Sequence, residues 1–252
     1  MQHQTHRVRH NSRCRTLQVL SKTHVTPRML RIVLGGDLAD FTTPSADDHI
    51  KVYVPGRASE LESRDFTPRY FDAVSRQLTL DFALHQSGPA IEWAQTVKIG
   101  ASVEISGPRG SLMIPEDFDW WLLVGDETAL PSIGRRVEGL TTGVRVITVV
   151  AVADRAERQV FSTAADLQEF WVHRLPSEAT NPEPLMTILE RLKIPPGDGF
   201  VWIAAEAKVA RAAKEYAIHN MRHPRGWLRG SGYWIKGRAD AYDKLENEGR
   251  YR

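Results

Sequence analysis

The chain has 252 residues, a formal net charge of +2, an apolar fraction of 42% and a charged fraction of 25%. That is room for one large domain or two small ones with a full core, and a nearly neutral balance without a dense basic stripe gives no footing for a nucleic-acid partner. The single cysteine, Cys14, excludes an intrachain disulfide and a cluster held by several cysteines of this chain; with a polar N-terminus lacking any apolar run of signal or membrane length, the expectation is a reducing cytoplasm and no membrane insertion.

Residues 1–13, containing HRVRHNS, read as a flexible arm, too brief for a nucleic-acid tail. From Cys14, TLQVLSKTHVTPRMLRIVLGG reads as two strands around a turn at Pro27, with Leu30, Ile32 and Leu34 at the period of a half-buried strand. HIKVYVP is a further strand ending at Pro55 and carrying Lys51, and residues 56–63 read as a polar loop. The stretch SRDFTPRYFD, Ser63 to Asp72, holds Arg64 and Arg69 five positions apart, a spacing that suits a doubly anionic ligand such as a pyrophosphate. Phe66 and Thr67 between them offer a ring and a hydroxyl to a flat heterocycle. The same residues serve equally as a polar loop between strands.

QLTLDFALH alternates through Leu78, Leu80, Phe82 and Leu84, and ends at His85. In SGPAIEWA a helix opening at Pro89 or Ala90 would aim free amides at an anion, with Gly88 permitting close approach and Trp93 on the first turns. VEISGPRGSLMIP holds two short strands. Many short strands with turns between them point to a small closed antiparallel barrel.

The character changes near Pro115. WWLLVGD, VRVITVVAVAD and GFVWIAAEA are apolar runs of the kind that form buried parallel strands. TALPSIGRRVEGL, PLMTILERLKIP and KVARAAKEYAIHNM read as helices, and LQEFWVHRL as a short helix or a helix followed by a strand. The alternation means a parallel α/β domain. GDETALP lies at the carboxyl end of its first strand, where nucleotides bind in such sheets, although helix capping explains its polar residues as well. Seven tryptophans scattered through the chain read as packing.

RDFTPR, the stretch running from His85 through GPAIEWA, DETALP, AAEAK (Ala204 to Lys208) and GYW (ending at Trp234) together resemble the motifs of the siderophore-interacting protein family, flavin-dependent ferric-siderophore reductases related to ferredoxin reductases. The likeness spans nearly the whole chain. It departs at Phe66, where the family usually has Tyr, at Ile91, where it has Ser, and at Ala205, where it has Gly. The resemblance implies a two-domain protein: a flexible arm over 1–13, an FAD-binding antiparallel β-barrel over 14–115, a parallel α/β NAD(P)H-binding domain over 116–240 and a polar tail over 241–252.

It further implies a flavin site drawn from Arg64, Asp65, Phe66, Thr67, Arg69, Asp81, His85, Gly88, Pro89, Ala90 and Trp93, with Thr67 near flavin N5. From the second domain come Asp126, Thr128, Ala129, Glu206, Tyr233 and Trp234; Tyr233 and Trp234 could equally pin the chain end to the core. Lys51, Lys208 and Arg211 are candidates for an anionic substrate or a reductant phosphate, against a plain solvated helix face for the last two. The implied activity is hydride transfer from NADPH or NADH to FAD, then single-electron reduction of a ferric siderophore with release of Fe(II). No nucleophile, no acid–base catalyst and no protein metal site are expected. A monomer is favoured. A general flavin oxidoreductase of the same fold and a non-catalytic flavin- or chelate-binding protein are the alternatives.

Overall fold

A computed structural model describes residues 3–56, 60–85, 88–238 and 245. Contacts divide the chain into two compact units: Gln2–Pro115 together with Gly134–Arg136, and Glu116–Ile133 together with Val137–Arg252.

In the first unit, β1 (His6–Arg9), β2 (Cys14–Thr26), β3 (Met29–Gly36), β4 (Ile50–Pro55), β5 (Leu61–Phe66), β6 (Pro68–Asp72), β7 (Gln77–Ala83), α1 (Pro89–Thr96), β8 (Ser102–Ser106) and β9 (Gly110–Met113) follow one another. Seven of these strands form an antiparallel sheet in the order β5-β4-β8-β2-β3-β7-β6. Alternation puts Leu17, Val19, Ile32, Leu34, Ile50, Val52, Leu78, Leu80, Phe82 and Ile105 on one face, where they are buried together with Ala90, Ala94 and Val97 of α1 and its C-cap. Each large apolar side chain taken out of water there contributes about 1.5–3 kcal/mol.

The sheet curls but does not close by pairing. Its two ends, β5 and β6, are consecutive in the chain, separated by Thr67, and the described residues form no ladder between them. The closed barrel expected from the strand pattern is therefore an open, curled sheet with a seam, and the stretch expected as a loop is the seam itself. Residues 61–63, expected as loop, likewise belong to β5. The arm is corrected as well. His6–Arg9 pairs antiparallel with Gly110–Met113, and since all four side chains are exposed, only backbone hydrogen bonds hold the strand and no pattern announces it.

The second unit contains β10 (Trp120–Asp126), α2 (Leu130–Gly139), β11 (Arg145–Val152), β12 (Asp166–His173), α3 (Glu183–Leu189), β13 (Gly199–Glu206), α4 (Ala207–His219) and β14 (Leu228–Trp234). All five strands run parallel in the order β12-β11-β10-β13-β14. LQEFWVHRL is thus strand, not helix. Its exposed, polar-rich pattern is that of a sheet edge, and its ladder to β11 supplies what burial does not. The expected polar tail lies outside the described residues except for Leu245, which packs against the unit's core and accepts a hydrogen bond from Lys214 Nζ at 2.7 Å. A curled antiparallel sheet followed by a parallel α/β layer is the ferredoxin-reductase-like architecture.

The chain leaves β10 toward β11 and leaves β13 toward β14, on opposite sides, so the order reverses between β10 and β13. In an open α/β sheet a crevice forms there, outside the carboxyl ends of the strands.

Candidate functional site

Two groups of expected residues emerge, one in each unit. In the first, strand register decides which residues can act together. Val52 stands opposite Arg64 and Ile50 opposite Phe66, so Arg64 and Phe66 share the face that carries the core. Lys51 stands opposite Asp65 on the other face and is ion-paired to it at 3.1 Å. The structure therefore separates Lys51 and Asp65 from the seam residues with which they are grouped in sequence.

Arg64 is half-buried. It donates to Glu62 Oε2 at 2.5 Å and to the Ser63 carbonyl at 2.8 Å, which fixes its guanidinium beside β5. Phe66 lies 4.3 Å, centroid to centroid, from Phe82, and Phe82 lies 5.7 Å from Trp93. A run of rings thus joins the seam to α1. Ile91 packs on the same core, which accounts for an aliphatic residue in place of a hydroxyl.

Thr67 is buried at the seam and Arg69 is buried just beyond it. Arg69 Nε lies 3.9 Å from Asp81, whose carboxylate also takes two hydrogen bonds from Arg31, at 2.7 and 2.8 Å. Asp81 thus stands between two arginines, Arg31 and Arg69. Two guanidinium groups flank one carboxylate beside the seam. His85 Nδ1 lies 2.8 Å from the Ala83 carbonyl oxygen, which can only accept, so the ring nitrogen donates there.

At α1, Pro89 occupies the first turn and no side chain caps the amides. A methyl group built on Gly88 would meet nothing within 4 Å. Gly88 has an extended backbone, φ 169°, so no strain demands glycine there. Among the described residues the helix start is open, with Ala90 turned into the core. A ring-lined seam, buried cationic charge and an open, uncapped helix start fit a flavin nucleotide: an apolar wall for a heterocycle and donors for phosphate.

The second group lies at the carboxyl ends of the parallel strands. Asp126, the last residue of β10, is buried. It accepts from Thr128 N and Oγ1 at 2.9 and 2.6 Å, from Glu206 N at 2.8 Å and from the Trp234 indole at 2.9 Å. One carboxylate thereby ties together the ends of β10, β13 and β14. Glu206 is also buried; it caps α4 through Lys208 N at 2.8 Å and accepts from Lys236 N at 3.3 Å. These bonds brace Asp126, Thr128, Glu206 and the Trp234 N–H at the mouth of the sheet. Ala205 is fully buried in the core, so its methyl faces packing partners. Ala129 precedes α2 and is buried. Tyr233 sets its ring edge-on to Trp202 at 6.0 Å, with its hydroxyl 3.4 Å from Ser132. Lys208 and Arg211 are exposed on α4.

Sequence reading missed a partnership at this end. Arg174 follows β12 directly and is buried, with 4% of its side chain exposed. It donates from Nη2 to Glu127 at 2.8 Å and stands 4.0 Å from Asp126. Burial, then the charge of Asp126, pushes the Glu127 carboxyl up to about 7, against the opposing pull of Arg174. Reading LQEFWVHRL as a short helix, or a helix followed by a strand, left Arg174 without a place, because it is the end of β12 that puts it at the sheet's mouth.

A Ser–His–acid contact occurs in the first unit but is wired for structure. Ser111 donates to Asp48 at 2.8 Å, and His10 Nε2 lies 2.7 Å from Ser111 Oγ. With its proton on the acid, Ser111 accepts from His10, which leaves the histidine unable to act as its base. Among the described residues no group of three or more His, Cys, Asp or Glu side chains could hold a metal ion, and no helix is long and apolar enough to cross a membrane.

Comparison with known proteins adds the following. A family model described as siderophore-interacting protein matches residues 118–237, and one described as siderophore-interacting FAD-binding domain matches residues 18–63 and 55–112. The NADPH-dependent ferric-chelate reductase of Escherichia coli (strain K12) is 31% identical over 250 residues, covering 90% of this chain and 95% of that protein. The ferric vibriobactin reductase of Vibrio cholerae is 26% identical over 249 residues, covering 90% and 91%. Among solved structures, a siderophore utilization protein from T. fusca superposes with a TM-score of 0.89 at 31% identity, over 96% of this chain and 99% of that one.

Proposed function

The chain belongs to the siderophore-interacting protein family, and from that membership we propose that it is a flavoprotein ferric-chelate reductase, using FAD and a nicotinamide dinucleotide to reduce the iron of ferric siderophores. When bound, FAD supplies the exchange between a hydride and single electrons, so that one NADPH or NADH reduces two Fe(III) to Fe(II) with release of one proton. Fe(II) binds hard oxygen ligands less tightly than Fe(III), so reduction loosens the chelate.

The observation that carries the reading is the placement of the two family matches. The FAD-binding one falls on the unit with the ring-lined seam, and the other on the unit with the parallel sheet and its reversed strand order. Phe66 would pack against the flavin ring system and Thr67 would hydrogen-bond to it. Arg64, Arg69 and the amides at the start of α1, with Gly88 beside them, hold the phosphates. Asp81 stands 3.9 Å from Arg69 and orients it. Tyr233 shields the nicotinamide side. Lys51, Lys208 and Arg211 draw an anionic chelate or a reductant phosphate by charge.

The flavin domain comprises residues 14–115 with β1 strapped to it, and the reductant domain 116–240; the division of contacts between Pro115 and Glu116 supports that boundary. A cytoplasmic monomer suits a chain with one cysteine and a nucleotide reductant, and gel filtration of the holoprotein checks the second point.

Anaerobic titration tests the function. Purified protein is yellow, NADPH or NADH bleaches the flavin band, and an added ferric siderophore restores the band while a ferrous-specific chromophore captures Fe(II). Colourless protein that takes up no added FAD overturns the reading. Bleaching followed by dye reduction without ferrous release makes it a general flavin reductase.

A further inference from the structure

A recess at the carboxyl end of the parallel sheet is lined by Asp126, Ala151, Val172, Arg174, Asn181 and Leu185, among others. Arg174 is the buried cation of this wall; it is ion-paired to Glu127, which is only 18% exposed, and stands 4.0 Å from Asp126. We propose that Glu127 is a gate on Arg174: a phosphate of the nicotinamide dinucleotide takes the place of the Glu127 carboxylate on the Arg174 guanidinium, and Glu127 takes up one proton from solvent as it lets go. This rests on the reading of the unit as the reductant domain.

The argument is electrostatic. Asp126, Glu127 and Glu206 bring three carboxyl groups to the strand ends beside one buried guanidinium. A dinucleotide adds further negative charge at the same place. Asp126 and Glu206 cannot yield, because Asp126 already holds Thr128, the Trp234 indole and the Glu206 amide, and Glu206 holds the amides of Lys208 and Lys236. Glu127 can, since its oxygen is bonded to Arg174 and its side chain reaches solvent.

The charged groups facing Glu127 are Asp126 on its own strand end and Arg174 beyond β12. Glu206 of β13 and Lys236 beyond β14 connect to it only through the hydrogen bonds of Asp126 and Glu206. Its carboxyl already sits at about 7 with Arg174 attached. Once a phosphate claims Arg174, the attraction that opposed burial and Asp126 is lost, and the protonated form is favoured further. Binding and protonation are then linked. Affinity falls about tenfold for each pH unit above the carboxyl's titration, because each bound molecule must bring a proton with it.

Calorimetric titration of the FAD-loaded protein with NADP+ and with NAD+ tests this, run at about pH 8 in two buffers of different ionisation enthalpy. The expected result is uptake of close to one proton per dinucleotide bound. Uptake with both identifies the shared diphosphate as the group at Arg174; uptake with NADP+ alone identifies its additional phosphate. Glu127→Gln, which keeps the shape without the charge, should abolish the uptake and tighten binding about tenfold at that pH. Binding without proton uptake in the native protein, or uptake unchanged in Glu127→Gln, overturns the gate while leaving the reductant domain intact. Failure of the yellow protein to bind either dinucleotide overturns both.

Discussion

Asp126 and Glu127 are neighbours in sequence with opposite roles. Asp126 is saturated by donors from three strand ends and works as a fastener. Glu127 has a single charged partner and a carboxyl held near 7, so its charge is carried at a cost. The sign follows from linkage. The native state holds the Glu127 proton more tightly than the unfolded chain does, so stability declines as pH rises from about 4.5 to about 7 and levels off above. Glu127→Gln removes that decline. Urea midpoints measured at about pH 5 and about pH 8 should therefore move in favour of the Gln variant at the higher pH. Equal differences at both values would mean that the native carboxyl titrates normally. The departures from family pattern also belong at this scale: Ala205 and Ile91 are packing residues, each filling apolar space in its unit's core.

Among the elements, β10 and its turn into α2 set the geometry of the strand ends. A methyl group on Gly125 would lie 2.8 Å from the Ala204 carbonyl oxygen and 2.6 Å from the Ala129 Cβ, so β10 touches both β13 and the start of α2 through a bare backbone. Gly125→Ala should force these apart at a cost of about 1–3 kcal/mol. It should weaken dinucleotide binding more than FAD retention, because the displaced residues are Asp126 and Glu127. Thermal unfolding and the two binding titrations check this; loss of FAD with unchanged dinucleotide affinity would contradict it.

The elements that sequence reading missed or mistook, β1, β5, β6, β12 and β14, share a property: each lies at the edge of its sheet. An edge strand gains its ladder from backbone groups on one side and buries less side-chain surface. Its sequence therefore need not alternate or be apolar. β12 carries Gln168 and Glu169 mid-strand without penalty, and β1 has four exposed side chains. The central strands were legible for the converse reason. Leu78, Leu80 and Phe82 keep a strict period of two, and Trp120–Asp126 is buried at every position.

For the whole molecule, the chain supplies a flavin-binding unit and a nucleotide-binding unit of comparable size. Saturation with FAD at a hundredfold excess over its dissociation constant should add about 2.7 kcal/mol of stability. For a chain of this length that is a rise of roughly 5–10 °C in the melting temperature. FAD that leaves the melting temperature unmoved would remove the flavin from this account. Because the overall charge is only +2, capture of an anionic chelate must depend on local clusters of cations.

Composition and apolar period determined by themselves that strands come first and a parallel α/β layer second. They could do so because burial imposes its period directly on the residues that fill a core. Which polar groups face one another was decided only by the tertiary structure. Strand register placed Lys51 and Asp65 on the face opposite Arg64 and Phe66, and the parallel ladder carried Arg174 across to Glu127, 47 positions away in sequence. Whether a carboxylate is a fastener or a gate depends on how many donors converge on it, and convergence of distant segments leaves no period in the chain.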